Sequence, residues 1–272
     1  MIDQGVDGIC ILANYSEQFV LTDEERDLLT ELCLKHIAGR VPVIVTCSHF
    51  STQVAAERAK KAALLGAAMV MHMPPYHGAT LHAAENQIIE HFAAISDSAQ
   101  IPIMIQDAPL SGTDMSVGLL VKLAQTIEHV SYFKIEIPFA ATKLRELIAK
   151  GGANILGPFD GEESITLMAD LNAGATGTMS SGLLPELIKP VLSYFNSNDI
   201  DKAKAQYEHI LPLINFENRQ CGLRACKTVM FEGGVIDSDH VRHALTPLHP
   251  DIRAELLSLA AERDLIALRW GK

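Results

Sequence analysis

The sequence predicts an α/β fold, a (β/α)8 TIM barrel lacking its first β-α unit and carrying a C-terminal helical appendage. Three observations predict it. Short apolar runs alternate strictly with longer amphipathic ones. Most of the short runs are apolar almost without interruption, as strands buried on both faces of a parallel sheet are. After residue 198 the beat stops and only helical patterns remain.

The short runs lie at 8–13, 41–48, 68–74, 102–108, 130–137, 154–160 and 176–181. Helical patterns separate and follow them near 23–38, 51–65, 80–97, 115–128, 138–150, 161–173 and 184–197. Thr22 followed by Asp23-Glu24-Glu25 marks a helix start, with acid in the first turn. Gly39, Gly66, Gly151 and Gly174 stand where helices should stop. Unbroken β-α alternation favours a barrel. An open doubly wound sheet is the alternative, and no run is followed by the GxGxxG of a dinucleotide site. A barrel needs one more strand, and Met1-Ile2-Asp3-Gln4-Gly5 reads as the tail of a helix, so a full first β-α unit is expected to be absent. Helical patterns near 199–214, 218–233 and 250–264 complete the chain. The domain reading is therefore a truncated barrel over 1–198 and a helical region over 199–272.

Composition narrows the partners. The 272 residues are 48% hydrophobic, enough for a large core, and the formal net charge is −11. Such a chain repels nucleic-acid phosphates and anionic lipid heads, so neither nucleic acid nor membrane is expected as a partner. No apolar run reaches the roughly 18 residues of a membrane span. Cys10, Cys33, Cys47, Cys221 and Cys226 are odd in number, without CxxC spacing, and read as reduced thiols of a cytoplasmic protein.

Lys134 is the most informative residue. In Val130-Ser131-Tyr132-Phe133-Lys134-Ile135-Glu136-Ile137, period-2 alternation puts Tyr132, Lys134 and Glu136 on one face. Phe133, Ile135 and Ile137 take the face that packs under helices, which turns the polar face to the lumen. Two readings fit. Desolvation there favours the neutral amine, a nucleophile for a carbonyl; alternatively, the lysine snorkels to solvent from a strand end. Glu136 is either a proton shuttle or the ion-pair partner of Lys134. The remaining lysines fall mostly in helical patterns and read as surface.

Asn14-Tyr15-Ser16-Glu17 follows the first strand, and its polar groups can hold a carboxylate, with Glu17 also fitting a loop anchor. Gln106 in Gln106-Asp107-Ala108-Pro109 offers hydrogen bonds without an exchangeable proton. Pro74-Pro75-Tyr76-His77-Gly78 forms a rigid loop at the same rim. Thr178, Ser180 and Ser181 bring hydroxyls to the last strand. A metal centre is the rival reading, since His49, His72, His77, His82, Asp107, Asp160, Glu162 and Glu163 are available; none has HxH or HxxxH spacing, and no metal is expected. No GxSxG supports a serine nucleophile. Asn218-Arg219-Gln220 reads as packing or subunit contact.

These motifs carry a resemblance. Leu12-Ala13-Asn14-Tyr15-Ser16-Glu17, Leu21-Thr22-Asp23-Glu24, Met73-Pro74-Pro75-Tyr76, Asp107-Ala108-Pro109, Phe133-Lys134-Ile135-Glu136 and Gly174-Ala175-Thr176-Gly177 resemble the dihydrodipicolinate synthase / N-acetylneuraminate lyase family of Schiff-base barrels, over nearly the whole chain. The resemblance implies an imine on Lys134, a carboxylate grip by Asn14, Tyr15 and Ser16, no cofactor beyond that imine, and a homotetramer. The family's relay tyrosine is replaced by Gln106, and Leu110-Ser111-Gly112 lacks the arginine that a second substrate would need. The chain is more similar to a branch that dehydrates 2-keto-3-deoxy-L-arabonate to 2,5-dioxopentanoate in pentose catabolism. Its marks are Gln106-Asp107-Ala108-Pro109, Gly157-Pro158-Phe159-Asp160-Gly161-Glu162-Glu163, Glu217-Asn218-Arg219-Gln220 and Leu268-Arg269-Trp270-Gly271. The expectation is a lyase with Lys134, Glu136 and Tyr15 catalytic, and with Asn14, Ser16, Gln106 and Ser180 binding substrate. Aldol cleavage, synthase-like condensation on the same imine, and a non-catalytic keto-acid sensor are the alternatives.

Overall fold

The computed structural model describes residues 1–77 and 81–272, leaving aside the side chains at 77 and 81. Gly78 of the expected rim loop, and Thr80 at the expected start of a helix, lie outside the described residues.

One compact unit comprises Gly8–Ala13 and Asp23–Met179. Its strands are β1 (Ile9–Ile11), β2 (Val43–Thr46), β3 (Met69–His72), the hairpin β4 (Tyr76–His77) and β5 (Leu81–His82), then β6 (Ile103–Asp107), β7 (Val130–Ile135), β8 (Gly157–Asp160) and β9 (Gly177–Thr178). Seven of them form a parallel sheet in the order β1-β2-β3-β6-β7-β8-β9. That order never reverses, whereas a doubly wound sheet reverses at its switch point. The helices between strands are α1 (Asp23–Ile37), α2 (Thr52–Leu64), α3 (Glu85–Ala99), α4 (Val117–Thr126), α5 (Ala140–Gly151) and α6 (Leu167–Asn172). Ser51 and Ser116 start α2 and α4 by accepting from the amides of Val54 and Leu119. Val70, Met71, Ile103, Met104, Ile105, Phe133 and Ile135 are almost completely buried, as a sheet covered on both faces requires.

The second unit comprises Met1–Asp7, Asn14–Thr22 and Ser180–Lys272. It holds α7 (Pro185–Asn196), α8 (Ile200–Phe216), a π-turn at Glu217–Cys221, α9 (Arg224–Glu232) and α10 (Pro250–Ala261). Its N-terminal segment is tied in by Gln4 donating to Glu186, Lys189 donating to the Gly5 carbonyl and Trp270 donating to Asp3.

Three expectations need correction. The last strand ends at Thr178, so Ser180 and Ser181 lie beyond it. The helix expected over 161–173 is only Leu167–Asn172, because the Asp160 carboxylate takes the amides of Glu162 and Ser164 and competes with helix formation. The helix expected over 218–233 is split into the π-turn and α9. All five cysteines are free thiols, with Cys47 and Cys221 buried.

Candidate active site

Strand register brings the first group together. Gln106 on β6 pairs with Lys134 on β7, which pairs with Phe159 on β8. The β6–β7 ladder slips at its start, where Ile103 faces Val130 but Met104 faces Tyr132. Ser131 is the extra residue of a bulge. Without it Gln106 would oppose Phe133, whose side chain points to the other face.

Lys134 is 5% exposed, and its Nζ lies 2.9 Å from Glu136 Oε2. Glu136 sits just past the end of β7, and its amide still donates to the Asp107 carbonyl at 2.9 Å. Gln106 Nε2 donates to the same Oε2 at 2.8 Å. Gln106 is fully buried, and its Oε1 has no donor among the described residues, an acceptor that suits an O–H group. Asp107 itself is buried against Lys143 of α5, Nζ to Oδ2 being 2.7 Å. Lys143, read from sequence as surface, is therefore a half-buried anchor. Desolvation nonetheless leaves the Asp107 carboxyl above its usual range.

The charge state of Lys134 corrects the expectation of a neutral amine. Desolvation is the largest influence and lowers its pKa, but Glu136 and Glu163 together outweigh it, so the pKa is raised. A pKa held above the ordinary lysine value favours the ammonium, and Glu136 Oε2 lies 2.9 Å from it. Glycines keep the surroundings tight. A Cβ on Gly157 would lie 2.6 Å from the Tyr132 ring, and one on Gly161 would lie 2.8 Å from Lys134 Cγ. The Cys10 thiol, within 3.5 Å of Thr46 Oγ1, is pushed up by burial and is no rival nucleophile.

Asp160, completely buried, anchors the loop after β8. Besides the two amides, it accepts from the hydroxyl of Thr178, which also contacts Ser164 Oγ at 2.9 Å. Burial and the nearby Asp170 hold its carboxyl above the usual range.

The other predicted residues belong to the second unit. Asn14–Ser16 and Gln18–Val20 are short 3-10 turns joined by Glu17 in a left-handed conformation. Tyr15 Oη donates to Asn218 Oδ1 at 3.3 Å, and Gln18 Nε2 donates to Asn14 Oδ1 at 2.6 Å. Glu17 is bound by Lys227 Nζ at 2.6 Å and by the Arg242 amide at 3.3 Å, so its anchoring role is the one realised. Ser16 is exposed, and Ser180 Oγ donates to the Ser181 carbonyl at 3.4 Å. Sequence reasoning missed Asn218 and Lys227 as supports of this loop, because contacts across some 200 positions leave no local signal. Glu217, 1% exposed, accepts a hydrogen bond from Ser181, and burial pushes its carboxyl up to about 7. A raised folded-state pKa means stability present below 4.5 and lost as pH rises through 7. Glu217→Gln should therefore gain on the wild type between pH 5 and 8 by roughly 3 kcal/mol, since each tenfold change in proton affinity is worth about 1.4 kcal/mol. Urea unfolding of both proteins across that range checks it, and a pH-independent difference would refute it.

Comparison with known proteins agrees with this architecture. The chain is 59% identical over 271 residues to L-2-keto-3-deoxyarabonate dehydratase of Azospirillum brasilense, covering 100% of this chain and 88% of that protein. It is 29% identical to a 4-hydroxy-tetrahydrodipicolinate synthase of Oceanobacillus iheyensis, over 79% of this chain and 71% of the other. The crystal structure of a putative dihydrodipicolinate synthetase from Pseudomonas aeruginosa superposes with a TM-score of 0.89 at 29% identity, covering 96% of this chain and 89% of that one. Residues 1–263 match the family model for the dihydrodipicolinate synthetase family, and the chain belongs to that family.

Proposed function

We propose that the protein is a hydro-lyase that holds a small 2-keto acid as an imine on Lys134 and dehydrates 2-keto-3-deoxy-L-arabonate to 2,5-dioxopentanoate. The observation that carries this reading is the Lys134–Glu136–Gln106 cluster, in which one oxygen of the half-buried Glu136 carboxylate receives both the buried ammonium and the buried amide. The 59% identity to a dehydratase supports the substrate.

Lys134 attacks C2, and water leaves as the iminium forms. The iminium acidifies C3, and the Glu136 carboxylate removes a C3 proton to give the enamine. The C4 oxygen then departs as water, and tautomerisation and hydrolysis release the product. The iminium is the electron sink, so the reading requires no metal or organic cofactor. Gln106 Oε1 accepts from a substrate hydroxyl or a water. Asn14, Tyr15 and Ser16 grip the carboxylate, with Tyr15 as a second proton carrier and Ser180 as a further polar contact. The reading also takes the seven parallel strands as seven of the eight in a (β/α)8 barrel with 199–272 as its helical appendage, and places a homotetramer in the cytoplasm.

Incubation with 2-keto-3-deoxy-L-arabonate tests it. 2,5-Dioxopentanoate is the expected product; pyruvate and glycolaldehyde as main products would instead mean aldol cleavage. The loop's share is testable separately. Lys227→Met removes the cation on Glu17 and should raise KM roughly tenfold, since a hydrogen-bonded charge contributes about 1.5–3 kcal/mol. An unchanged KM would detach the loop from the substrate carboxylate.

A further inference from the structure

The helical unit gathers three sulfur atoms in one place. Cys226 and Met230 stand four positions apart on α9, so both side chains lie on one face of the helix. Cys226 Sγ lies 3.8 Å from Met230 Sδ. The chain passes this face at Gly182. A Cβ on Gly182 would lie 3.4 Å from Met1 Sδ, 3.4 Å from Met230 Cε and 3.5 Å from Cys226 Sγ. The N-terminal segment that brings Met1 here is pinned. Gln4 Nε2 donates to the Gly182 carbonyl at 3.2 Å and to Glu186 at 2.9 Å, and the Gln4 amide donates to the Met1 carbonyl at 3.0 Å.

Methionines that meet in a core are ordinary filler. These sulfurs meet instead near the surface, around a residue that has no side chain. Met1 is exposed, and Cys226 and Met230 are half-buried, so an ion from solvent can reach them. Chemistry selects the ion. Thiolate and thioether are soft donors, which Mg²⁺ and Ca²⁺ disfavour and Cu(I) prefers, while Zn²⁺ is bound by thiolate, imidazole and carboxylate. Geometry agrees. Three sulfurs around one ion, each at a metal–sulfur distance of about 2.3 Å, stand about 4 Å from one another. The Cys226–Met230 spacing of 3.8 Å is close to that. The unbranched methionine side chain, with three rotatable bonds, can swing Met1 Sδ into the third position. Among the described residues no three His, Cys, Asp or Glu side chains form a metal-binding group, so harder ions have no comparable site there.

We propose that Met1, Cys226 and Met230 form a binding site for one Cu(I) ion, with one thiolate and two thioethers as a trigonal set. On binding, the Cys226 S–H bond breaks, its proton goes to solvent, and the sulfur electron pair forms the metal bond. No electron is transferred, since copper arrives as Cu(I). The ion takes no part in the dehydration, and the site stands whether or not that reading holds. It ties the N-terminal segment to α9 and so stabilises the folded chain by mass action.

Anaerobic titration with Cu(I) against a chromogenic Cu(I) chelator tests the site, with Cys226→Ser, Met230→Leu and Gly182→Val beside the wild type. Wild type should take up one equivalent and melt at a higher temperature with it. Losing even an outer-shell partner of a metal costs about 10–100-fold in affinity, so Cys226→Ser and Met230→Leu should each lose at least that. Gly182→Val keeps all three ligands but puts carbon among them, and should also weaken binding. Circular dichroism of the metal-free variants checks that they fold. X-ray absorption of the copper-loaded wild type, which depends on no substitution, should show three sulfurs at about 2.3 Å. No uptake by the wild type, unchanged affinity in Cys226→Ser or Met230→Leu, nitrogen or oxygen in place of sulfur around copper, or Zn²⁺ bound as tightly as Cu(I) would each overturn the proposal.

Discussion

Lys134→Arg and Lys134→Ala should both lose all turnover and all borohydride-dependent mass gain with pyruvate, the largest effect expected of any substitution in this protein. The two variants fail for separable reasons. Alanine leaves Glu136 2.9 Å from a vacated ammonium position and Glu163 without that counter-charge. Removing the cation leaves the half-buried Glu136 carboxylate without its counter-charge, so this variant should also be less stable. Arginine keeps the positive charge, but its guanidinium is not a nucleophile toward a carbonyl. A folded Lys134→Arg that still traps pyruvate, with the modified peptide mapping elsewhere, would move the imine to another lysine. Lys143 is the natural check, because its side chain is mostly covered, but its Nζ is held by Asp107.

Glu136→Gln should rank second, with imine trapping kept and turnover down by about 10²–10⁴-fold. It also has a sign in pH. Glu136 is the stronger of the two carboxylates that hold the Lys134 pKa up. With that charge gone, desolvation meets less opposition and the pKa falls. The pH dependence of trapping should shift toward acid, because the neutral amine becomes available at lower pH. A turnover loss without any such shift would mean that Glu136 does not share a proton with the lysine. A full-rate variant would make it a structural partner only.

Much of this was legible in the sequence. The apolar runs located all seven strands of the sheet, because strands covered on both faces leave no polar stripe to blur the signal. Lys134 stood out because alternation within one strand is a local property. The opposition of Gln106 to Lys134 was not legible, since it depends on a bulge at Ser131, and nothing in Val130-Ser131-Tyr132 marks one. Glu163 was hidden in an expected helix, because the pattern of apolar residues takes no account of an aspartate side chain competing for two amides. The charge of Lys134 was misjudged for a related reason. Burial could be read from the strand, but the second carboxylate that helps Glu136 outweigh it comes from a different loop.

The Asn14–Thr22 turn emerges early in synthesis, directly after β1, yet it is stapled by Lys227 and Asn218, more than 200 positions later. Contacts of such long range form late, because a large loop must close before they reward the chain. A nascent or truncated polypeptide that ends before the Glu217–Cys221 π-turn would carry Lys134 and Glu136 but neither of these staples for the turn. Any role of the turn in holding substrate would thus switch on only when translation is nearly complete.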